Sequence, residues 1–531
     1  MAAEPLLLVN GRIYTVDPSF ATVSVLAARD GRIVYAGDSE QQARALLPPR
    51  PQRRDLAGAC VIPGLVDSHL HFQLQGRKLA ELDLARKSKA EVLALVARSA
   101  RELKQGEWIL GLGWNNEEWP DTSWPRKEEL DAVAPGHPVA LTRCDAHSMW
   151  VNSHALHAAG IDRNSPDPQG GEILRQENGE LLGILIDTAV FRIWEVLPPL
   201  TEAQALHACT LAERTLLSYG ICSVGDAWQT VEDHERLKKA CAAGQLRIRI
   251  YGMLGSEDHA GRPGFKAGMR PLRGLCDERL SLCAFKLVLD GSLGSRSAWL
   301  TREYADRPGH RGNGRYSDDA LFDLLQEPVA QGFQICAHAI GDAAVLQAVR
   351  VFERLASRGL GIGLRHRIEH FQMAAPETVA RALNLGIIPA MQTMHAVGDK
   401  AMAEARLSPP ALADSYPWRQ VIDKGAFFAN GSDSPMEDPN PFHGMHAAVT
   451  RTPFAPFADQ DPAGLRLSRE EALRSYTIWA AGAELAQGVK GSLEAGKLAD
   501  FLILDRDILR CTPKQLHDTR VLATVLGGEQ V

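Results

Sequence analysis

The stretch "VIPGLVDSHLHF", residues 61–72, sets an apolar run, interrupted by a Pro-Gly pair, in front of two histidines two positions apart. Side chains alternate across a strand, so His69 and His71 point the same way, as a pair must to reach one ion. On its own, the spacing equally describes two polar residues closing a buried strand. In a chain with 17 histidines it decides nothing. The decision lies at the ends of the other apolar runs.

There are eight such runs: 61–69, 220–227, 247–254, 282–291, 332–339, 365–371, 386–392 and 425–433. They are nearly continuous in apolar residues, as strands buried on both faces must be, and helix-like stretches such as "DALFDLLQEPVAQG" and "APETVARALNLG" separate several of them. Eight strands alternating with helices predict an α/β fold, a (β/α)8 TIM barrel. The first and second runs lie about 150 residues apart, far more than a βα connection needs. Residues 73–200 are therefore expected to form an inserted cap or substrate-binding domain.

Outside the barrel the pattern changes. Residues 5–36 are short β-branched runs punctuated by Asn10-Gly11 and Asp30-Gly31, which signal hairpins. The segment "LLPPRPQRRD" (46–55) reads as a connector, and strand-like runs return at 491–507 and 520–529 after a helical region at 468–487. The expected organisation is a small composite β-sandwich from 1–60 plus 488–531, a barrel from 61–72 plus 201–487, and the insertion between.

Composition narrows the function classes. A chain of 531 residues exceeds the size of one core, and 45% hydrophobic with 23% charged residues is ordinary for a globular enzyme. A net charge of -7, with both signs interleaved, offers no field for nucleic acid or an anionic membrane, so a small-molecule substrate is the expected partner. A homo-oligomer is compatible with the sequence. The apolar start "PLLLVNG" is too short for a signal-peptide core and no run approaches a membrane span, which predicts a cytoplasmic protein. The nine cysteines are dispersed without a C-x-x-C pair, fitting reduced, buried thiols.

Polar residues stand at the mouth ends of four further runs: Lys286 in "CAFKLVLDG", His338 in "FQICAH", His370 in "RHRIEH" and Asp433 in "FFANGSD". Barrel enzymes place their chemistry at that face. A lysine inside an apolar strand is costly unless paired or modified. Asp433 alone would read as a turn or capping residue, and its register with the others argues for function. His366 shares a face with His370 but lies deeper, as a core or supporting residue.

This set, with "GWNNEEW", "RCDAHSMWVNSHAL", "KLVLDGSLGSRSA", "AHAIGDAAV", "RIEHFQ", "GSDSPMEDPNPF" and "KLADFLILD", resembles the metal-dependent amidohydrolase superfamily. The wording is most similar to amidohydrolase family 3, the YtcJ-like branch that includes N-substituted formamide deformylases. The resemblance implies one or two divalent ions, zinc first, held by His69, His71, His338 and His370, with Lys286 at the position that is carboxylated in binuclear relatives. Asp433, itself among the implied metal residues, is implied as the base that takes a proton from metal-bound water and returns it to the leaving nitrogen as hydroxide attacks an amide, N-acyl or N-formyl compound and its C-N bond breaks. The same set serves deaminases and cyclic-amide hydrolases in relatives, and some superfamily members are non-catalytic scaffolds.

Weaker candidates remain. Trp114, Trp119, Asp145 and His147 either line a substrate pocket from the insertion or pack its core. Arg296 either meets a substrate carboxylate or carbonyl or lies on the surface. Asp342 either orients His338 as a supporting acceptor or caps the next helix. His395 is a candidate substrate contact. The glycine-rich loop 307–315 suits a lid or an ordinary connection.

Overall fold

The protein is described here by a computed structural model covering residues 4–145, 147–168, 170–198, 200–258, 261–451 and 464–531. Eight parallel strands form the barrel: β1 (Leu65–Leu70), β2 (Ile221–Gln229), β3 (Arg249–Gly255), β4 (Leu280–Val288), β5 (Gln334–Ala339), β6 (Arg367–His370), β7 (Ile388–Met391) and β8 (Ala429–Asn430). Each pairs with the next in sequence order. All eight coincide with the apolar runs read from the sequence. The seam between β8 and β1 is closed just beyond β8, where Asp433 N donates to His69 O (2.7 Å) and His71 N to Ser434 O (2.8 Å).

The first run proves to be two strands. Cys60–Pro63 pairs antiparallel with Phe501–Leu504 in a six-stranded sheet that also holds Arg12–Tyr14 and Val521–Leu526, and only Leu65–Leu70 enters the barrel. Gly64 is the joint, because a Cβ there would come within 2.6 Å of the Cys222 sulfur. The crossing from sandwich to barrel therefore lies at residue 64 and not at 60/61. A four-stranded sheet of Arg32–Gly37, Val25–Arg29, Leu6–Val9 and Gln52–Asp55 packs on the first. Leu6, Leu8, Leu26, Val61, Phe501 and Ile503 share the core between them.

Two local expectations change. Asp30-Gly31, with both φ positive, joins an antiparallel hairpin, but Asn10-Gly11 turns the chain from one sheet into the other. Residues 52–55 are not a connector but an edge strand parallel to Leu6–Val9, since the prolines end before Gln52.

The helix Phe72–Ala80 packs against Glu202–Ser218, so closely at Gly76 that a Cβ would strike the Ala208 carbonyl at 2.2 Å. It thus belongs to the barrel's outer layer, and the insertion starts after it. The insertion is a six-stranded mixed sheet running Gly171–Arg175, Leu181–Asp187, Ser148–Val151, Val139–Arg143, Ile109–Trp114 and Leu82–Asp83, with helices such as Lys89–Glu102 on it. Loop 307–315 is pinned by Leu300 N to Arg311 O (2.7 Å) and Arg315 N to Leu289 O (2.9 Å), which favours the ordinary connection over a lid. All nine cysteines are free thiols. Among the described residues no helix is long and apolar enough to cross a membrane.

A buried ion pair locks barrel to sandwich: Arg249, opening β3, donates to both oxygens of Asp500 at 2.6 and 2.8 Å. Removing one partner strands a buried charge, which costs about 3–5 kcal/mol. Arg249→Met should lower the urea midpoint accordingly, with much of the loss recovered in Arg249→Met/Asp500→Leu. An unchanged midpoint in the single variant would show that this pair contributes nothing to domain docking.

Candidate metal centre

His69 lies on β1 with its ring buried. Its Nδ1 sits 2.5 Å from Oε2 of Glu369, whose two oxygens also receive Nε and Nη2 of Arg367 at 2.7 and 2.9 Å. Burial opposes ionisation of Glu369, but Arg367 and His69 hold its pKa well below the usual carboxylate range. An ionised acceptor on Nδ1 places the ring proton there and leaves Nε2 with a lone pair. The backbone is held as well: His69 N and Ser432 N both donate to Asp67, whose burial pushes its pKa up to about 7.

That lone pair meets others. Nε2 of His69 and of His71 lie 3.3 and 3.4 Å from Oδ1 of Asp433, and Nε2 of His395 lies 3.8 Å from Oδ2. His69 Nε2 and Asp433 Oδ1 are buried and make no aligned hydrogen bond. Burial disfavours the charged carboxylate, yet His69, His71 and His370 lower the Asp433 pKa well below its usual value. Acceptor atoms facing one another out of water are costly unless a cation lies between them. The residues present fit a divalent ion: two overlapping groups, His69/His71/Asp433 and His370/His395/Asp433, each bring their ligand atoms within 4.8 Å of one another. Imidazole and carboxylate donors without thiolate suit zinc, iron or manganese.

His370 repeats the logic of His69. Its Nδ1 lies 2.8 Å from Gln392 Oε1, which accepts the ring proton and frees Nε2. Burial, with His69, Lys286 and His395 nearby, lowers its pKa well below normal despite Asp433, so the ring is neutral. Its ring centroid is 4.9 Å from that of His69 and 4.5 Å from that of His338. His370 (φ 69°) and Asp433 (φ 57°) both sit in the left-handed region that non-glycine residues avoid, strain that concentrates at functional sites. His338 is held neutral by burial and by His370, and its Nε2 lies 3.6 Å from Asp290 Oδ1. Lys286 is buried and forms no ion pair among the described residues; burial lowers its pKa.

The structure brings together His69, His71, His370, His395 and Asp433, with His338 and Lys286 beside them. His395 stands closer to the centre than a peripheral substrate contact, stacked on His370 at 16°. With His370, Gln372, Met391, Gln392, Tyr416 and Trp418 it lines a cavity. Asp145 and His147 reach the mouth from the insertion. For three candidates with two readings each, the structure favours the structural one. Trp114 is fully buried against Trp119, Trp124 and Trp150 and donates to Leu141 O, so it belongs to the insertion's core. Arg296 pairs with Asp306 through Nε and Nη2 at 3.1 and 2.6 Å, which favours the structural reading over a substrate contact. Asp342 bonds the backbone and hydroxyl of Thr301; Asp290 is the carboxylate beside His338. His366 accepts from Ile335 N at the foot of β6.

Sequence reasoning missed Glu369, Arg367, Gln392 and Asp290. The signal for the first two was present in "RIEH": opposite charges two apart in a buried strand, hence on one face.

Residues 52–531 match the family model described as "Amidohydrolase family", and the chain belongs to that family. It is 30% identical to the putative amidohydrolase YtcJ of Bacillus subtilis (strain 168), covering 98% of each chain. It is 27% identical to an N-substituted formamide deformylase of Arthrobacter pascens, covering 98% of this chain and 97% of that one. An uncharacterized metal-dependent hydrolase from Pyrococcus furiosus superposes with a TM-score of 0.74 at 28% identity, over 95% of this chain and 100% of that one.

Glu369→Gln removes the ionised acceptor that fixes the His69 tautomer. Affinity for zinc should fall about 10–100-fold in a chelator competition assay, the usual cost of losing such a partner. Unchanged affinity would detach Glu369 from the metal site.

Proposed function

We propose that the protein is a metal-dependent hydrolase of C-N bonds in small amide, N-acyl or N-formyl compounds. The observation that carries this reading is the convergence of His69 Nε2, His71 Nε2 and Asp433 Oδ1, with the His69 and Asp433 atoms buried and without a hydrogen-bond partner. Similarity to a protein named for deformylation of N-substituted formamides supports the bond type. A divalent cation, best zinc, lowers the pKa of water toward neutrality and polarises a carbonyl.

His69, His71 and His370 would hold that ion, with His338 beside His370 and Lys286 near them as the further donors. Burial favours the neutral amine of Lys286, the form that adds carbon dioxide with loss of a proton to give a carbamate ligand. Asp433, ionised between the imidazoles, accepts the proton of the attacking water. The water oxygen bonds to the carbonyl carbon, the C-N bond breaks as the nitrogen takes up a proton, and the products are a carboxylate and an amine. The strained backbone of Asp433, anchored through its N–H to His69 O, fixes the carboxylate against the imidazoles.

Asp433→Asn should retain metal and lose most turnover on a panel of N-formyl, N-acyl and dipeptide-like amides, whereas His69→Ala should lose metal as well. Full activity in Asp433→Asn would remove it from the mechanism. Ammonia in place of an amine product would point instead to deamination.

A further inference from the structure

We propose that His147, held by Asp187, is a second catalytic residue, supplied by the insertion, that protonates the leaving nitrogen. This rests on the amide-hydrolase reading and adds a proton donor opposite Asp433.

The insertion's strands Ser148–Val151 and Leu181–Asp187 are antiparallel neighbours with Ser148 opposite Ile186, so His147 and Asp187 form the next pair outward. Asp187 N donates to His147 O at 2.7 Å, and the Asp187 carboxylate lies 2.7 Å from His147 Nδ1. Asp187 adopts φ 51°, ψ -120°, a conformation costly for any residue but glycine and kept only where surroundings enforce it. With Nδ1 occupied by a carboxylate, the ring is oriented and its Nε2, which bonds no described residue, is left for a ligand. This is the carboxylate–imidazole pairing used for general acid–base work.

The pair is seated over the barrel. His147 N donates to Asp145 (3.0 Å), Asp145 takes Arg143 (2.7 Å), and Asp145 Oδ2 lies 3.8 Å from where a Cβ of Gly294, just beyond β4, would stand. Glu117 of the insertion also pairs with Arg406, beyond β7, at 3.0 Å. The charged groups facing His147 are Asp187, Asp145 and Arg315, and its own charge reaches His338 at the end of β5. Burial works against the charged ring, but Asp187 outweighs it and raises the His147 pKa, which shifts the ring toward its proton-donating form. Asp433 stands at the β8–β1 seam and the His147 segment is seated over the loop that follows β4, so in this proposal a substrate between them has a base on one side and an acid on the other. In the step, water gives its proton to Asp433 as its oxygen bonds to the carbonyl carbon. The C-N bond breaks as His147 Nε2 passes its proton to nitrogen. The proton released by Asp433 to solvent restores the imidazolium.

The test uses zinc-loaded full-length protein and amides sharing one acyl group, an alkylamide and a 4-nitroanilide. The weakly basic nitroaniline leaves without protonation. His147→Gln should keep its zinc and lose about 100–1000-fold in kcat/KM on the alkylamide but less than about tenfold on the nitroanilide. Asp187→Asn should move the basic limb of the pH profile to lower pH, since a raised imidazole pKa falls when its carboxylate goes. Equal losses on both amides, or no loss, overturn the role while leaving the hydrolase reading intact. A wild-type protein inert on both amides overturns the two together.

Discussion

The Glu369 carboxylate, enclosed between Arg367 and His69 with no access to water, is the interaction on which the rest of the centre depends. An ion buried in a protein interior is tolerated only when its partners are close and its lone pairs are used. Arg367 supplies two bonds from β6 and His69 a third from β1, on the opposite side of the barrel. Arg367 also donates to Ser68 O, adding a second link between the same two strands. The pair thus ties barrel integrity to the protonation state of one imidazole.

The seam of the barrel adds a second coupling. β8 is only two residues long, and closure onto β1 is completed by backbone bonds between Asp433 and His69 and between His71 and Ser434. Three of the residues that converge on the candidate cation site, His69, His71 and Asp433, are ones whose peptide groups shut the barrel. A perturbation of the seam therefore moves these side chains, and Asp433 carries its positive φ at that closure.

Strand number, order and the location of the mouth were legible from sequence because buried parallel strands leave long apolar runs and the polar residues that interrupt them stand out. Lys286, His338, His370 and Asp433 were found that way, and all lie at one end of the barrel. Less legible was whatever depends on partners distant in sequence. Arg296 looked available for substrate because Asp306 gives no sign in sequence of reaching it. Trp114 stayed open between pocket wall and core because aromatic density does not distinguish a core from a cleft. Glu369 escaped notice because a carboxylate beside a histidine reads as one more polar residue until His69, 300 positions away, is seen to end on it. The split of the opening run at Gly64 was likewise hidden, since two collinear strands in different sheets share one apolar signature.

The central claim is that a divalent cation sits where His69, His71 and Asp433 converge, in a shell of nitrogen and oxygen donors set by Glu369. X-ray absorption at the zinc edge of the reconstituted protein addresses it most directly. Scatterers nearest the zinc are expected at about 2.0–2.2 Å from imidazole and carboxylate alone, with more distant imidazole features that weaken in His69→Ala. A sulfur scatterer at about 2.3 Å, or a spectrum of hydrated zinc unchanged by the substitution, would contradict it.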